Sequence, residues 1–243
     1  ELKILELRLE SITNEKADLE RDILLFNRRQ YEILGDLIKE LLRLKAEYQQ
    51  CIAEQAKQEQ NQEQEEIDEL EEEAEQAKDT YDEYSEEYEE VQQTEVKQLN
   101  ELEEKELKNI FRRACNLCHP DKVTEEKKGQ ASQIFIQLKE AYDKNDIAAV
   151  KIVYAKLQQG DFSQTKSSKL KSIDILRSSI SEIKYKLEQA IQALHKLSTD
   201  PVTMTINQIG KNESQWVDYL HNKRVSFEGE IAAWQEKLEQ LRV

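Results

Sequence analysis

A heptad pattern of apolar residues dominates the first part of the chain. From Leu2 to Leu37, apolar side chains recur at alternating spacings of three and four, broken only at Lys16 and Gln30, which places them along one side of an α-helix. The stripe then shifts by one residue and continues to Cys51. The stripe dissolves in the Gln/Glu-rich stretch 54–66, and further stripes follow from Ile67 to Val91 and from Leu170 to Leu194. The pattern therefore predicts an all-α protein built on long coiled-coil helices.

Composition also favours helices over sheets. The 243 residues include only 5 Gly and 2 Pro, whereas the turns of a β-rich fold consume both. The net charge of −16 argues against nucleic acid or an anionic membrane as the main partner. No apolar run approaches the roughly 18 residues that a membrane span needs. Three cysteines cannot all pair with one another, which favours a reducing compartment, and we expect a cytoplasmic protein.

Charge divides the chain into segments. Residues 59–104 carry a net charge of −19 and residues 105–160 carry +4, so we place a domain boundary near residue 104. The predicted segments are an N-terminal coiled-coil helix (1–58), an acidic coiled-coil arm (59–104), a small helical domain (105–160), a returning basic coiled-coil arm (161–197), a loop (198–211) and a C-terminal helix (212–243).

The two arms that flank the small domain match in length and oppose in charge. Residues 67–97 have a net charge of −12, and residues 167–197 together with Lys166 have +4. Two acidic arms would repel each other in a parallel homodimer, whereas an antiparallel pair within one chain would attract. We therefore expect an antiparallel coiled-coil hairpin that carries the small domain at its tip. Whether the stripes pair within one chain or between chains stays open, so a homo-oligomer is an alternative.

The stretch 105–160 departs from the heptad pattern. Its first part predicts a helix with one apolar face and a basic stripe of Lys105, Lys108 and Arg112. Pro120 ends this helix and disfavours helical geometry at the residue before it, so His119 should lie at an exposed corner. A second amphipathic helix follows, and the two should pack side by side. The apolar faces are Leu107, Ile110, Phe111, Ala114 and Leu117 or Cys118 in the first helix, and Ala131, Ile134, Phe135, Leu138, Ala141 and Tyr142 in the second.

The tetrapeptide His119-Pro120-Asp121-Lys122 lies between these helices, after the basic one and before the sequence Phe135-Ile136-Gln137-Leu138-Lys139-Glu140-Ala141-Tyr142. Together with Glu106, Leu107, Phe111, Arg112 and Arg113, this combination resembles a J-domain, the module of DnaJ-like co-chaperones. The resemblance covers about 40 of the 243 residues. It implies a small J-domain-like helical hairpin flanked by the antiparallel coiled-coil helices.

The resemblance also implies a function. In this family the His-Pro-Asp loop and the basic face of the preceding helix dock on an acidic surface of a DnaK-type ATPase chaperone and stimulate its ATP hydrolysis. The resemblance implies that His119, Pro120 and Asp121 are the essential contacts. It also implies that four basic residues add electrostatic attraction: Lys108, Arg112, Arg113 and Lys122. The coiled coil would recruit a client or complex. We expect no catalytic residue, no cofactor and no metal, because His119 and Asp121 would contact another protein and nothing in the sequence assembles a catalytic site of its own.

The chain departs from the family at several positions. Leu117 replaces the usual basic residue two before the histidine, and Cys118 replaces the usual tyrosine just before it. The family's first helix is not recognisable directly upstream. Residues 31–35 read YEILG, which resembles that helix, but they lie inside the heptad stripe. Downstream, Asn145 or Asp146 should cap a further helix that ends near Gly160.

The sequence Cys115-Asn116-Leu117-Cys118-His119 has competing interpretations. It matches the c-type haem attachment pattern, which would also need an axial ligand, and Met204 is the only methionine. A zinc site would lack a second ligand cluster. A thioredoxin-like redox motif would need a strand-helix context that this chain does not offer. The simplest interpretation is two half-buried thiols on the packing face of a helix.

Two further hypotheses concern function. A structural scaffold whose J-like domain binds proteins without ATPase coupling is the alternative to a co-chaperone. The acidic run 59–104 is most simply a solvated face. It could also shield the basic helix, in which case Glu101, Glu103 and Glu104 would be the shielding residues.

Overall fold

The computed structural model describes residues 1–58, 64–93, 96–118, 123, 127–159 and 173–242. Within these ranges the secondary structure is entirely helical, and the expectation of an all-α protein is confirmed. The helices are α1 (Leu2–Gln58), α2 (Gln64–Gln93), α3 (Glu101–Cys118), α4 (Lys128–Asp143), α5 (Ile147–Gln159), α6 (Ile173–Ser198), α7 (Pro201–Ile209) and α8 (Glu213–Leu241).

The chain divides into two compact units, and α1 contributes to both. The first unit comprises Glu1–Leu24 and Glu95–Thr205, and the second comprises Leu25–Thr94 and Ile206–Val243. The single helix expected over residues 1–58 is present as α1.

In the second unit, α2 packs against α1 in the antiparallel sense. The Tyr31 hydroxyl donates to Glu87 at 2.7 Å near the end of α2, whereas Lys57, at the end of α1, pairs with Glu71 near its beginning. Gly35 permits the close approach, because a Cβ there would overlap the Tyr88 ring. The charge pattern predicts residues 167–197 as the partner of this acidic arm. In the described residues the tyrosines of α2 pack on α1, and the pairing of this arm with residues 167–197 stays a prediction.

Helix α8 packs on the same part of α1 and runs parallel to it. Trp216 meets Phe26 edge to face at a ring-centroid distance of 5.8 Å, and Trp234 meets Tyr48 at 5.2 Å. Later positions in α1 therefore meet later positions in α8. Asn212 caps the helix by accepting a hydrogen bond from the Ser214 amide at 2.9 Å.

The expected loop over residues 198–211 contains a helix, α7, which corrects that prediction. The Asp200 carboxylate accepts from the Val202 amide at 2.9 Å and caps the first turn. Pro201 occupies the first helical position, where its missing N–H costs nothing. Gly210, with φ +104°, follows the end of the helix. Proline and glycine therefore mark the ends of a short helix here.

Helix α3 begins upstream of the predicted boundary near residue 104. The Asn100 side chain accepts from the amides of Leu102 and Glu103, both at 3.0 Å, and the Glu103 carboxylate accepts from the Asn100 amide at 2.9 Å. This reciprocal capping satisfies N–H groups that have no partner within the helix. The expected further helix is confirmed as α5, with Asp146 accepting from the Ala149 amide at 3.1 Å.

The core of the first unit lies among α3, α4 and α5. Lys97 bonds through its amide to the Lys144 carbonyl at 3.2 Å, so the residues before α3 lie beside the end of α4. The predicted apolar faces are confirmed, and Cys118, one of the two alternatives, is fully buried. Ala17 of α1 joins this core, whose other members are Leu107, Phe111, Ala114, Cys115, Cys118, Leu138, Ala141, Tyr142, Val150 and Leu157.

Candidate functional site

The basic stripe of α3 is positioned by the apolar face of the same helix. Phe111 stacks on Tyr142 of α4 at a ring-centroid distance of 3.9 Å and an interplanar angle of 13°. With Phe111 turned inward, Lys105, Arg112 and Arg113 are exposed on the remaining surface of the helix. The stacked pair therefore fixes the rotation of α3 and the direction in which its basic residues point.

The described residues include only part of the predicted docking site. Lys108, Arg112 and Arg113 lie on α3. His119, Pro120, Asp121 and Lys122 lie outside the described residues, between the end of α3 and the beginning of α4.

Two of the three described basic residues face α1. Arg112 donates to the Asp18 carboxylate, which also accepts from the Tyr142 hydroxyl at 2.6 Å. Lys108 lies 3.1 Å from Glu104 on its own helix and 4.0 Å from Asp22. The carboxylates of α1 therefore neutralise part of the stripe that the sequence predicts to be exposed.

A buried arginine holds this part of α1 in place. The Arg21 side chain is 1 % exposed, and its guanidinium donates to Asn145 Oδ1 at 3.0 and 2.8 Å and to Glu104 at 3.1 Å. It also lies 5.2 Å from the centroid of the Tyr142 ring, within the range of a cation–π contact. A buried charge needs such partners, because desolvation is otherwise too costly.

An ion pair also joins α1 to α4. Lys139 lies 3.3 Å from Glu20 of α1 and 3.0 Å from Asp143 of its own helix. We call the contacting segment of α1 the α1 clasp. It consists of Ala17, Asp18, Glu20, Arg21 and Asp22.

The pKa values of the paired groups reflect these contacts. The hydrogen bond to Asp18 raises the pKa of Arg112. Burial alone would raise the pKa of Glu104, but the neighbouring Lys108 and Arg21 lower it overall. Burial and the adjacent Asp18 raise the pKa of the Tyr142 hydroxyl. Both Arg112 and Glu104 are therefore shifted towards their charged forms by the groups they contact.

Sequence reasoning missed the clasp. Arg21 and Asp18 lie on a helix with many charged residues, and a charged residue there has the same appearance in the sequence whether it is solvated or buried. Their partners on α3 and α4 are far away in the sequence, the Asn145 partner of Arg21 by 124 residues. No spacing rule connects residues at that separation.

Of the three predicted shielding residues, Glu104 contacts the basic stripe, because it lies 3.1 Å from Lys108. Glu103 caps α3, and Glu104 accepts from Arg21 and Lys108 within the first unit. Glu101 lies exposed in the first turn of α3, where a negative charge interacts favourably with the helix dipole.

The thiols of α3 are poorly placed for metal or redox chemistry. Cys115 and Cys118 are buried in the core, and burial raises the pKa of Cys118 to about 12. The thiolate that metal binding and disulfide exchange require is therefore strongly disfavoured at neutral pH. In the described ranges, no three His, Cys, Asp or Glu side chains come together as a metal site would require.

Within the residues that the structure describes, no helix combines the length and the apolar character needed to cross a membrane. No protein-family model matches the chain, and neither a curated protein nor a solved structure matches it.

Proposed function

We propose that this protein is a J-domain-type co-chaperone of the cytoplasm, which binds a DnaK-type ATPase chaperone and stimulates its ATP hydrolysis. In this proposal the protein is not itself an enzyme. His119, Pro120 and Asp121 contact the chaperone, and Lys108, Arg112, Arg113 and Lys122 supply attraction to an acidic surface.

One observation carries the proposal. Helices α3 and α4 share a core centred on the Phe111–Tyr142 stack, and the sequence His119-Pro120-Asp121-Lys122 connects them. A cationic helix face beside a proline-containing connection can steer an acidic partner and then offer it a rigid contact. The exposed side chain of Arg113 is available for such a contact.

The helices of the second unit would serve a different partner. In this proposal α1, α2 and α8 form a helical surface that recruits a client or complex. The chain would then link the chaperone to that client, and the short docking module would need no substrate-binding region of its own.

Binding to the ATP-bound chaperone tests the proposal. Fluorescence anisotropy of the labelled protein, titrated with a DnaK-type chaperone and ATP, should show saturable binding that weakens as salt rises. Arg113→Gln should lower the affinity by about five- to tenfold, the effect of one interfacial charge. Arg8→Gln is the matched control, because Arg8 is exposed on α1 and should leave the affinity unchanged.

Absence of saturable binding by the unmodified protein would overturn the proposal. Binding that His119→Gln leaves unchanged would also do so, because it would not involve the predicted loop. The scaffold without ATPase coupling would then be the better account of the chain.

A further inference from the structure

The basic stripe of α3 already has an acidic partner within the same chain. Asp18 pairs with Arg112, and Asp22 lies 4.0 Å from Lys108. On α1, Asp18 and Asp22 are four positions apart, and on α3 so are Lys108 and Arg112. The two residues on each helix therefore lie on one face, about one turn apart. The order is reversed between the helices, as in an antiparallel contact. The two carboxylates therefore match the two cations in both charge and spacing.

The contact is anchored beside the ion pairs. Ala17 is buried in the core among α3, α4 and α5, and Arg21 is bonded to Asn145 at the end of α4. These two residues flank Asp18 in the sequence and hold its turn of α1 against α3. Asp18 is further held by the Tyr142 hydroxyl at 2.6 Å. The position of the acidic residues is therefore set by packing and by charge together.

The covered cations remain partly accessible. The Arg112 side chain is 50 % exposed and the Lys108 side chain 28 %. A competing acidic surface could contact Arg113 and the open side of Arg112 first, and then replace the carboxylates of α1. The ion pairs of the clasp are thus accessible at their edge, unlike the buried Arg21.

We propose that the α1 clasp is an autoinhibitory cover, in which Asp18 and Asp22 compete with the acidic surface of the chaperone for Arg112 and Lys108. This inference rests on the proposed function, because it assigns a regulator to the same docking face. The apparent affinity for the chaperone is reduced by the fraction of molecules in which the face is covered.

Stimulation of ATP hydrolysis below saturation tests the cover. Asp18→Asn/Asp22→Asn removes both charges while keeping side-chain size and an oxygen that can accept from Tyr142. At a fixed concentration of this protein below saturation, the double variant should raise stimulation by about two- to fivefold. A change of this size fits the modest strength of partly exposed ion pairs. Glu15→Gln is the matched control, because Glu15 is exposed on the same helix and should leave stimulation unchanged.

The outcomes separate the cover from the proposed function. If the unmodified protein stimulates hydrolysis and the double variant stimulates it no further, the autoinhibitory cover is overturned, whereas the co-chaperone function stands. Failure of both proteins to stimulate would overturn both. If circular dichroism shows that the double variant is unfolded, Asp18→Asn alone replaces it, with a gain expected in the same direction. An equal gain from Glu15→Gln would also overturn the cover, because it would reflect overall charge.

Discussion

Asn145 binds Arg21 across 124 residues of sequence, accepting two hydrogen bonds from the guanidinium through its Oδ1 atom. The same side chain donates to the Lys97 carbonyl at 2.9 Å. Asn145 has φ +56°, in the left-handed region that asparagine tolerates better than most residues. One residue between α4 and α5 therefore ties α1 and the residues before α3 to the helical core.

Replacing Asn145 with alanine should destabilise the first unit. The change leaves the buried Arg21 with Glu104 as its remaining bonded partner, and it places alanine at a positive φ. We expect a loss of about 2 to 3 kcal/mol in the free energy of unfolding, measured by urea denaturation. Asn145→Gly relieves the backbone strain but not the lost hydrogen bonds, so it should recover only part of the loss. A loss below about 0.5 kcal/mol for alanine would show that the bonds to Arg21 contribute little.

Two glycines within helices should respond in opposite ways to alanine. At Gly35 a Cβ would overlap the Tyr88 ring, so Gly35→Ala should destabilise the packing of α2 on α1 by about 1 to 3 kcal/mol. At Gly229 on α8 a Cβ meets nothing within 4 Å. Gly229→Ala should therefore stabilise by about 0.5 to 1 kcal/mol, because alanine favours the helix. Thermal unfolding of both variants measures the difference.

The Gly35 effect depends on the tyrosine that fills the space. In a Tyr88→Ala background the overlap is gone, so Gly35→Ala should become neutral or stabilising. A double-mutant cycle gives the coupling between the two positions directly. Equal destabilisation by Gly35→Ala in both backgrounds would place the cause in α1 itself.

The stability of the first unit should fall at alkaline pH. Burial raises the pKa of Cys118 from 9.0 to about 12. The unfolded chain then releases the thiol proton first, so the stability present below pH 9 is lost as the pH rises towards 12. One such group contributes a slope of up to about 1.4 kcal/mol per pH unit. Urea denaturation at several pH values measures this slope.

Cys118→Ala isolates the contribution of this thiol. The variant leaves a cavity and should already be less stable at neutral pH, so the slopes are compared rather than the absolute values. Around pH 9, about one unit below the reference pKa of tyrosine, the variant should show a clearly smaller slope than the unmodified protein. Equal slopes would mean that this thiol ionises alike in the folded and unfolded chain.

Local patterns predicted the helices well and their partners poorly. The stripe in residues 1–58 and the two amphipathic faces of 105–160 are present in α1, α3 and α4, because burial of an apolar face at helical spacing is decided locally. The contact of α2 with α1 was not predicted from the sequence. Close packing of Tyr88 on Gly35 joins α2 to α1, and the net charge of a segment does not predict such packing.

The candidate site was predicted in its chemistry but not in its surroundings. The basic residues of α3 follow from the helix period, and the core behind them follows from its apolar face. The carboxylate of Asp18 opposite Arg112 does not follow, because it depends on how a distant helix docks. Contacts between helices this far apart in sequence are set by three-dimensional packing. The spacing of residues within each helix does not predict them.

The most direct measurement of the central claim is single-turnover ATP hydrolysis by a DnaK-type chaperone at a saturating concentration of this protein. We predict that the unmodified protein accelerates hydrolysis. The variant His119→Gln should keep its helical circular dichroism spectrum, and in its presence the rate should equal that of the chaperone without added protein. A rate that the unmodified protein does not raise, or that the variant raises equally, would contradict the assignment as a co-chaperone.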